Sequence, residues 1–274
     1  MILEVQHETR LQYSEPVSEW LTEVRMEPVS DERQSCHSFH LRLSEHAGVF
    51  CYRDGFGNRV HHFNLLTPNK EVRMLAASLV ETYADVTRLE SSTSSFPLDS
   101  SDLPLEVHDF LSFRGPTSPT PPLDPILDIL RPEISEPLGV IVAKVSEYIH
   151  AHFEYARDVT NASSPIAELL EHRKGVCQDF AHLMIAILRS FGIPARYVSG
   201  YVHRENKESQ SHAWCEAWLP DLGWVGVDPT NNCVANDHFI KVAVGRDFTD
   251  VPPNKGVYRG RGVEIFSFAL RRGR

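Results

Sequence analysis

The sequence predicts an α+β protein in which a β-rich N-terminal part precedes a part that combines helices and strands. Three patterns support this prediction. Short segments of alternating polar and apolar residues recur up to about residue 66, and apolar residues repeat at helical spacing from Phe180 to Phe191. Two strand-like runs separated by a turn then follow between Ser211 and Asp228.

Residues 1–95 are predicted to form the β-rich N-terminal domain. The alternation is clearest in Leu3-Val5-His7, in Trp20-Thr22-Val24-Met26 and in Phe39-Leu41-Leu43, and Asp54-Gly55 marks a turn. We expect these strands to form a small β-sandwich, in which one face of each strand is buried.

Residues 96–135 are predicted to be a connector with short helices. The segment is rich in serine and proline, and its stretch 115–122 can form neither a helix nor a central strand. One short helix is predicted near Leu105–Phe113. A second globular part, residues 136–274, follows and begins with a helix whose apolar positions run from Leu138 to Phe153.

A cysteine lies where the next long helix should begin. The apolar positions from Phe180 to Phe191 define this helix, which Gly192 and Pro194 end. Cys177 therefore falls in or just before the first turn, where unpaired backbone NH groups and the helix dipole favour an anion such as a thiolate. Because Asp179 adds negative charge to the same turn, the thiolate needs a protonated histidine beside it. Otherwise Cys177 is a small buried apolar residue, as most free cysteines are.

A histidine and an aspartate are predicted on neighbouring strands. His212 and Trp214 share one face of the strand 211–219, and Asp228 ends the strand 224–228 that follows the turn. Thiol, imidazole and carboxylate are the groups of a nucleophile, a base and a group that orients the base.

The simplest hairpin register does not bring the imidazole and the carboxylate together. If Leu219 pairs with Trp224, Asp228 lies opposite Cys215, and His212 is three residues further along, or about 10 Å. A bulge, a bend or a different turn must then close that gap.

The segments around these residues resemble the transglutaminase-like superfamily, in its bacterial branch of proposed cysteine proteases. They contain Gly175-Val176-Cys177-Gln178-Asp179-Phe180, Ser211-His212-Ala213-Trp214 and Gly226-Val227-Asp228-Pro229-Thr230, and the similarity extends over most of the chain after about residue 140. The N-terminal third is similar to the small domain that precedes the core in that branch. The resemblance implies a papain-like catalytic core within residues 136–274, in which the cysteine helix packs on an antiparallel sheet or barrel.

The same resemblance implies roles for the three residues. Cys177 matches the family nucleophile, His212 the base and Asp228 the acid that orients the base. The backbone NH of Cys177 is the natural first donor to an oxyanion, and Gln178, Tyr155 and Trp214 are candidates for a second donor or a substrate contact.

The predicted reaction is acyl transfer through a thioester, on an amide bond of a peptide or protein substrate. Hydrolysis by a cysteine protease or amidase is preferred, because that is the role usually proposed for the bacterial branch. Crosslinking by a protein-glutamine transglutaminase and a binding protein with the same fold but no activity remain alternatives.

Composition narrows the class of protein further. The formal net charge is −10, and no dense run of basic residues could follow a phosphate backbone, so nucleic acid is not expected as a partner. No apolar run approaches the roughly 20 residues that span a bilayer, and the first eight residues include acids where a signal peptide would be apolar. We therefore expect a cytoplasmic protein with no membrane partner; the oligomeric state stays open.

Neither a cofactor nor a metal is expected. The five cysteines form no Cys-x-x-Cys pair, which suits reduced thiols. His37, His40, His61 and His62 suggest a metal, but they lie in predicted strands without a matched carboxylate or thiol cluster. No Asp-x-Asp-x-Asp-Gly loop occurs, so the calcium dependence of animal transglutaminases does not carry over.

Overall fold

The computed structural model describes residues 1–84, 88–157, 159–161, 164–204, 210–262 and 264–272. In these ranges the α-helices are α1 (Asp124–Leu130), α2 (Leu138–His152), α3 (Ile166–His172) and α4 (Cys177–Ser190). The strands are β1 (Ile2–Val24), β2 (Gln34–Leu43), β3 (Val49–Arg53), β4 (Arg59–Leu65), β5 (Asn69–Thr82), β6 (Glu154–Tyr155), β7 (Lys174–Gly175), β8 (Ala195–Val202), β9 (Gln210–Leu219), β10 (Gly223–Asp228), β11 (Cys233–Val234), β12 (Phe239–Gly245), β13 (Asn254–Arg259) and β14 (Glu264–Arg272).

The N-terminal region is β-rich, as predicted, and is built on the long strand β1. The first half of β1 pairs with β5 and β14, and its second half pairs with β4 and β13. The register shifts between Gln12 and Val17 and again between Ser18 and Leu21, and such irregularities bend a strand. Side chains from both halves, including Leu11 and Trp20, share one core. The region is therefore one hydrogen-bonded seven-stranded sheet rather than a sandwich of two separate sheets.

The last strands of the chain join this N-terminal sheet. β13 runs antiparallel to β1, with Ser18 opposite Arg259 and Val24 opposite Asn254. The division at residue 136 remains a prediction, but strands 254–259 and 264–272 pair with β1 and not with the sheet of the second part. The alternation of polar and apolar residues identifies a strand without indicating its partner, which explains the difference.

The connector contains short 3-10 turns and α1, and one of the turns, Leu105–Leu111, lies where a short helix was predicted. The buried Arg189 of α4 binds this segment. Its Nε donates to the carbonyl of Phe110 at 2.8 Å, and its Nη1 donates to the carbonyl of Ser112 at 2.7 Å. Burial lowers the pKa of Arg189 to about 10, so the guanidinium remains charged at neutral pH and holds the connector against the helix.

The second part consists of α4 packed on a five-stranded antiparallel sheet, in the order β11-β10-β9-β8-β12, as predicted. α4 begins at Cys177, and Gly192 follows it with φ +73°. Alternate residues of β9, Ala213 and Cys215, belong to the core that contains α4, whereas Trp214 packs in a separate cluster with Phe239. In the described ranges, no helix is long and apolar enough to cross a bilayer.

Candidate functional site

Cys177 is the first residue of α4, and its side chain is half-buried. The turn before it is fixed by Asp179, whose Oδ2 accepts hydrogen bonds from the backbone NH of Val176 at 2.8 Å and from Thr160 Oγ1 at 2.6 Å. Burial raises the pKa of Asp179, and the bonds from Thr160 and Val176 oppose that rise. The acid that the sequence places two residues after the thiol therefore caps the first turn.

The backbone at Gly175 passes close to the capping carboxylate of Asp179 because glycine has no side chain. A Cβ at this position would lie 2.7 Å from Asp179 Oδ2 and 2.9 Å from Leu169 Cδ1, so a side chain cannot fit without movement. On its other side, Gly175 pairs in parallel with Tyr155, and its carbonyl accepts from the NH of Ala156 at 2.8 Å. The backbone leading to Cys177 is thus held from both sides.

His212 and Asp228 form a direct hydrogen bond. His212 Nε2 lies 2.7 Å from Asp228 Oδ2, and both side chains are buried. The two residues belong to β9 and β10, which pair antiparallel with Leu219 opposite Gly223 and Cys215 opposite Val227. The next step of this register brings Asp228 across from Trp214, so His212 is its diagonal neighbour on the same face of the sheet.

The observed register differs by one residue from the one considered above, with Leu219 opposite Trp224, because the turn is a different one, which was one of the named alternatives. Gly223 has φ +71°, which closes a turn of three residues instead of four. A shift of one residue moves every side chain of a strand to the other face. The shorter turn therefore moves Asp228 from the face of Cys215 to that of His212, and no bulge is needed to close the gap.

The sulfur of Cys177 lies next to the imidazole of His212, where it raises the pKa of the ring. Because Nε2 already contacts Asp228, Nδ1 is the ring nitrogen left for the sulfur. Burial on its own would lower the pKa of His212, but the hydrogen bonds with Asp228 and Cys177 and the charges of both groups raise it to about 10. The arrangement favours a protonated imidazole, bound to the buried carboxylate through one ring nitrogen and next to the Cys177 sulfur at the other.

Two further residues hold Asp228, and the sequence analysis missed both. The NH of Thr230 donates to Asp228 Oδ1 at 2.9 Å, and Asn231 Nδ2 donates to Asp228 Oδ2 at 2.5 Å. Arg204 Nη2 in turn donates to Asn231 Oδ1 at 3.3 Å. The Asp-Pro-Thr-Asn sequence could have indicated the Thr230 bond, because an aspartate often accepts from the NH two residues later in a turn.

The three candidates for oxyanion or substrate contacts occupy different surroundings. Gln178 is the second residue of α4 and is half-buried. Tyr155 is 49% exposed and lies beside Gly175, close to the start of the cysteine helix. Trp214 is buried, with its ring centroid 6.3 Å from that of His212. Trp214 therefore packs against the imidazole of His212 and is not exposed to solvent.

Two histidines outside this site, His182 and His61, have contrasting surroundings. His182 is buried in α4 and its Nε2 accepts from the NH of Phe248 at 3.1 Å, as expected for a packed helix residue. His61, in contrast, lies with Glu27 and Cys51 in a cluster whose donor atoms are all within 4.8 Å of one another. The expectation that the strand histidines lack a matched carboxylate and thiol is therefore wrong for His61, because Glu27 and Cys51 come from segments distant in sequence.

Comparison with known proteins places this architecture in a family. Residues 133–229 match the transglutaminase-like superfamily, and residues 3–81 match the bacterial transglutaminase-like N-terminal region. An uncharacterized protein of Mycobacterium leprae is 34% identical over 270 residues, which cover 95% of this chain and 94% of that protein. The chain belongs to the transglutaminase-like superfamily. Cys177, His212 and Asp228 all lie within the matched core segment.

Two other proteins are informative. The crystal structure of a proposed cysteine protease from Cytophaga hutchinsonii superposes with a TM-score of 0.79 at 21% identity, covering 99% of this chain and 91% of that one. This likeness shows the shared fold. A protein-glutamine gamma-glutamyltransferase of Pseudomonas aeruginosa is 34% identical over 116 residues, which cover 38% of this chain and 17% of that protein. The superfamily thus includes enzymes whose chemistry depends on a cysteine.

Proposed function

We propose that this protein is a cysteine-dependent acyl-transfer enzyme that acts on amide bonds of peptides or proteins and releases the acyl group by hydrolysis. The observation that carries the proposal is the arrangement of Cys177, His212 and Asp228, with the sulfur at a helix start and one ring nitrogen bound to a buried carboxylate. A nucleophile, a base and an orienting acid in this order are the groups that acyl transfer needs.

In the first step the Cys177 sulfur attacks the carbonyl carbon of the substrate amide, and a C–S bond forms. The backbone NH of Cys177 donates to the developing oxyanion. His212 gives its proton to the leaving nitrogen, the C–N bond breaks and a thioester remains. Asp228 holds the ring in one orientation and stabilises its protonated form.

In the second step water attacks the thioester carbonyl while His212 takes up the proton of the water. The C–S bond then breaks, the carboxylic acid leaves, and the sulfur departs as a thiolate beside His212, which holds the proton taken from the water. Hydrolysis is preferred because water reaches this site: Cys177 is only half-buried, and Tyr155 beside it is 49% exposed. Efficient transfer to an amine requires that water be excluded.

A second candidate is protein-glutamine crosslinking, in which a primary amine replaces water in the second step. The activity named for the Pseudomonas aeruginosa relative favours it. The two reactions are separated by incubating the protein with a peptide mixture and a labelled primary amine, and by measuring new peptide amines and ammonia against incorporated label. Hydrolysis without incorporation supports our proposal, and incorporation without hydrolysis contradicts it.

Alkylation tests the chemistry without a known substrate. Iodoacetamide labelling at about pH 6, read by mass spectrometry, compares Cys177 with the other four cysteines in the same sample. We expect Cys177 to react faster, and the advantage to disappear in His212→Asn. Equal rates in the unmodified protein would remove the physical support for an enzymatic function. They would favour the third alternative, a binding protein with the same fold but no activity.

We also propose that the enzyme works in a reducing, cytoplasmic environment. Its five cysteines are all free, and the thiolate reaction needs a reduced sulfur. Cell fractionation with an antibody against the protein tests this location, and recovery outside the cytoplasm would contradict it.

A further inference from the structure

The N-terminal sheet contains a second group of reactive side chains, outside the Cys177 site. Cys51 of β3 and His61 of β4 are directly opposite each other in the antiparallel pair. Glu27, three residues after the end of β1, reaches the same place, with its Oε2 3.3 Å from His61 Nε2. We propose that Glu27, Cys51 and His61 form a binding site for a divalent transition metal ion of the zinc type.

The spacing of the donor atoms is close to what a tetrahedral ion requires. The sulfur, nitrogen and oxygen donors all lie within 4.8 Å of one another. Bonds of about 2.0–2.3 Å at tetrahedral angles place neighbouring donors roughly 3.3–3.8 Å apart. Side-chain rotations that move the donor atoms by about 1 Å are therefore enough to close the site around an ion, and the strands need not move.

The chemistry of the donors selects the class of ion. Thiolate and imidazole are ligands that zinc and related transition metals prefer, whereas calcium and magnesium take oxygen ligands. Three protein donors leave one tetrahedral position for water or a small ligand.

The imidazole of His61 is positioned to bind an ion through Nε2, which already points toward Glu27. Its Nδ1 is buried and has no hydrogen-bond partner among the described residues, so presenting Nε2 to a metal gives up only the contact with Glu27.

Arg59 shows that this place already attracts a positive charge. Its Nε lies 3.4 Å from Glu27 Oε1, and its Nη1 donates to Cys51 Sγ at 3.7 Å. The guanidinium thus occupies the position of a counter-ion between two of the proposed ligands. Because the Arg59 side chain is 44% exposed, it can turn into solvent when an ion binds. Arginine and metal then compete, and Arg59→Gln should bind the metal more tightly than the unmodified sequence.

The experiment uses the full chain with Cys177→Ala, so that the Cys177 thiol cannot contribute to metal binding. Zinc is titrated in competition with a chromophoric chelator, and cobalt(II) absorption reports whether a thiolate binds the metal. Cys51→Ser and His61→Asn are compared with His62→Asn, the matched control. His62 is the next residue along β4, and its ring stacks on Phe50 at 5.4 Å, on the other face of the strand.

The expected result is one zinc per chain, affinity at least about tenfold weaker in Cys51→Ser and His61→Asn, and His62→Asn within about twofold of its parent. Cobalt should show a thiolate band that Cys51→Ser abolishes. Absence of zinc binding, equal binding in Cys51→Ser, or an equal loss in His62→Asn would each overturn the proposal. Metal-free melting curves exclude misfolding as the cause. The outcome does not depend on whether the protein hydrolyses amides.

Discussion

The buried hydrogen bond between His212 and Asp228 makes a prediction about protonation that needs no substrate. Asp228→Asn keeps the shape of the side chain and removes its negative charge. In the unmodified protein, burial lowers the pKa of His212, and the hydrogen bond with Asp228 is the largest of the opposing influences that raise it to about 10. Removing the carboxylate charge should therefore lower the pKa of His212 substantially.

The size of the change follows from the structure. Holding the pKa of His212 at about 10 instead of 6.5 corresponds to roughly 5 kcal/mol of stabilisation of the protonated ring. A hydrogen bond to a charged group contributes about 1.5–3 kcal/mol of this, so loss of that bond alone should lower the pKa of His212 to roughly 8–9 in the variant. The charge of Asp228 and the neighbouring Cys177 also raise this pKa, and the substitution leaves only the influence of Cys177 in place.

The linked effect on stability has a definite sign. Because the pKa of His212 is raised in the folded state, the stability that it contributes is complete below about pH 6.5 and is lost as the pH rises through about 10. The free energy of unfolding of Asp228→Asn should therefore fall furthest below that of the unmodified protein at about pH 5–6, where His212 is protonated and Asp228 is still ionised. The difference should narrow toward pH 10.

The assay is NMR of ¹³C-labelled histidine from about pH 5 to about pH 11, a range that brackets the two pKa values compared. The spectrum of His212→Asn identifies the His212 signal. Asp128→Asn, which removes an exposed carboxylate paired with Arg131, is the control and should leave that signal unchanged. If His212 still titrates near pH 10 without the Asp228 carboxylate, the reasoning is refuted.

Three other substitutions test neighbouring parts of the structure. Asn231→Leu removes a hydrogen bond that lowers the pKa of Asp228, so kcat/KM should fall by roughly tenfold. The acid limb of the pH profile of kcat/KM should also move to higher pH, and an unchanged profile would contradict this. Gly175→Ala should lower the free energy of unfolding in urea by about 1–3 kcal/mol, since its Cβ would lie 2.7 Å from an oxygen of Asp179; an unchanged midpoint would show that the turn can move. Glu216→Ala leaves the cations of Arg196 and Lys241 without their buried partner, and should cost about 3–5 kcal/mol by the same measurement; a loss below about 1 kcal/mol would show that solvent reaches them.

The cysteine helix could be predicted from sequence because its information is local. The apolar positions from Phe180 to Phe191 repeat with the helical period, Gly192 ends the helix, and together they place Cys177 in the first turn. The alternation in β9 correctly separated the face of His212 and Trp214 from that of Cys215. Each of these features depends on residues a few positions apart.

The register of the hairpin could not be predicted with the same security. A turn of three or of four residues is compatible with the segment 220–223, and the choice decides whether Asp228 faces His212 or the opposite side. The positive φ of Gly223 selects the shorter turn, but a glycine is compatible with both alternatives.

Contacts between segments that are distant in sequence could not be predicted. Glu27 approaches His61 only because the second half of β1 pairs with β4, and Thr160 contacts Asp179 although it precedes it by 19 residues. Neither contact leaves a periodic signal in the chain. The hydrogen bond from Asn231 to Asp228 spans three residues, but an asparagine after a strand is common in turns and indicates no particular partner.

The pairing of β13 and β14 with β1 has a consequence for biosynthesis. β4 and β5, which line one edge of β1, are complete by Thr82, whereas the strands on its other edge begin only at Asn254. At about 5–20 residues per second, a ribosome takes roughly 10–35 s to make the intervening chain. During that interval the nascent chain presents an unpaired strand edge to other nascent chains and to chaperones.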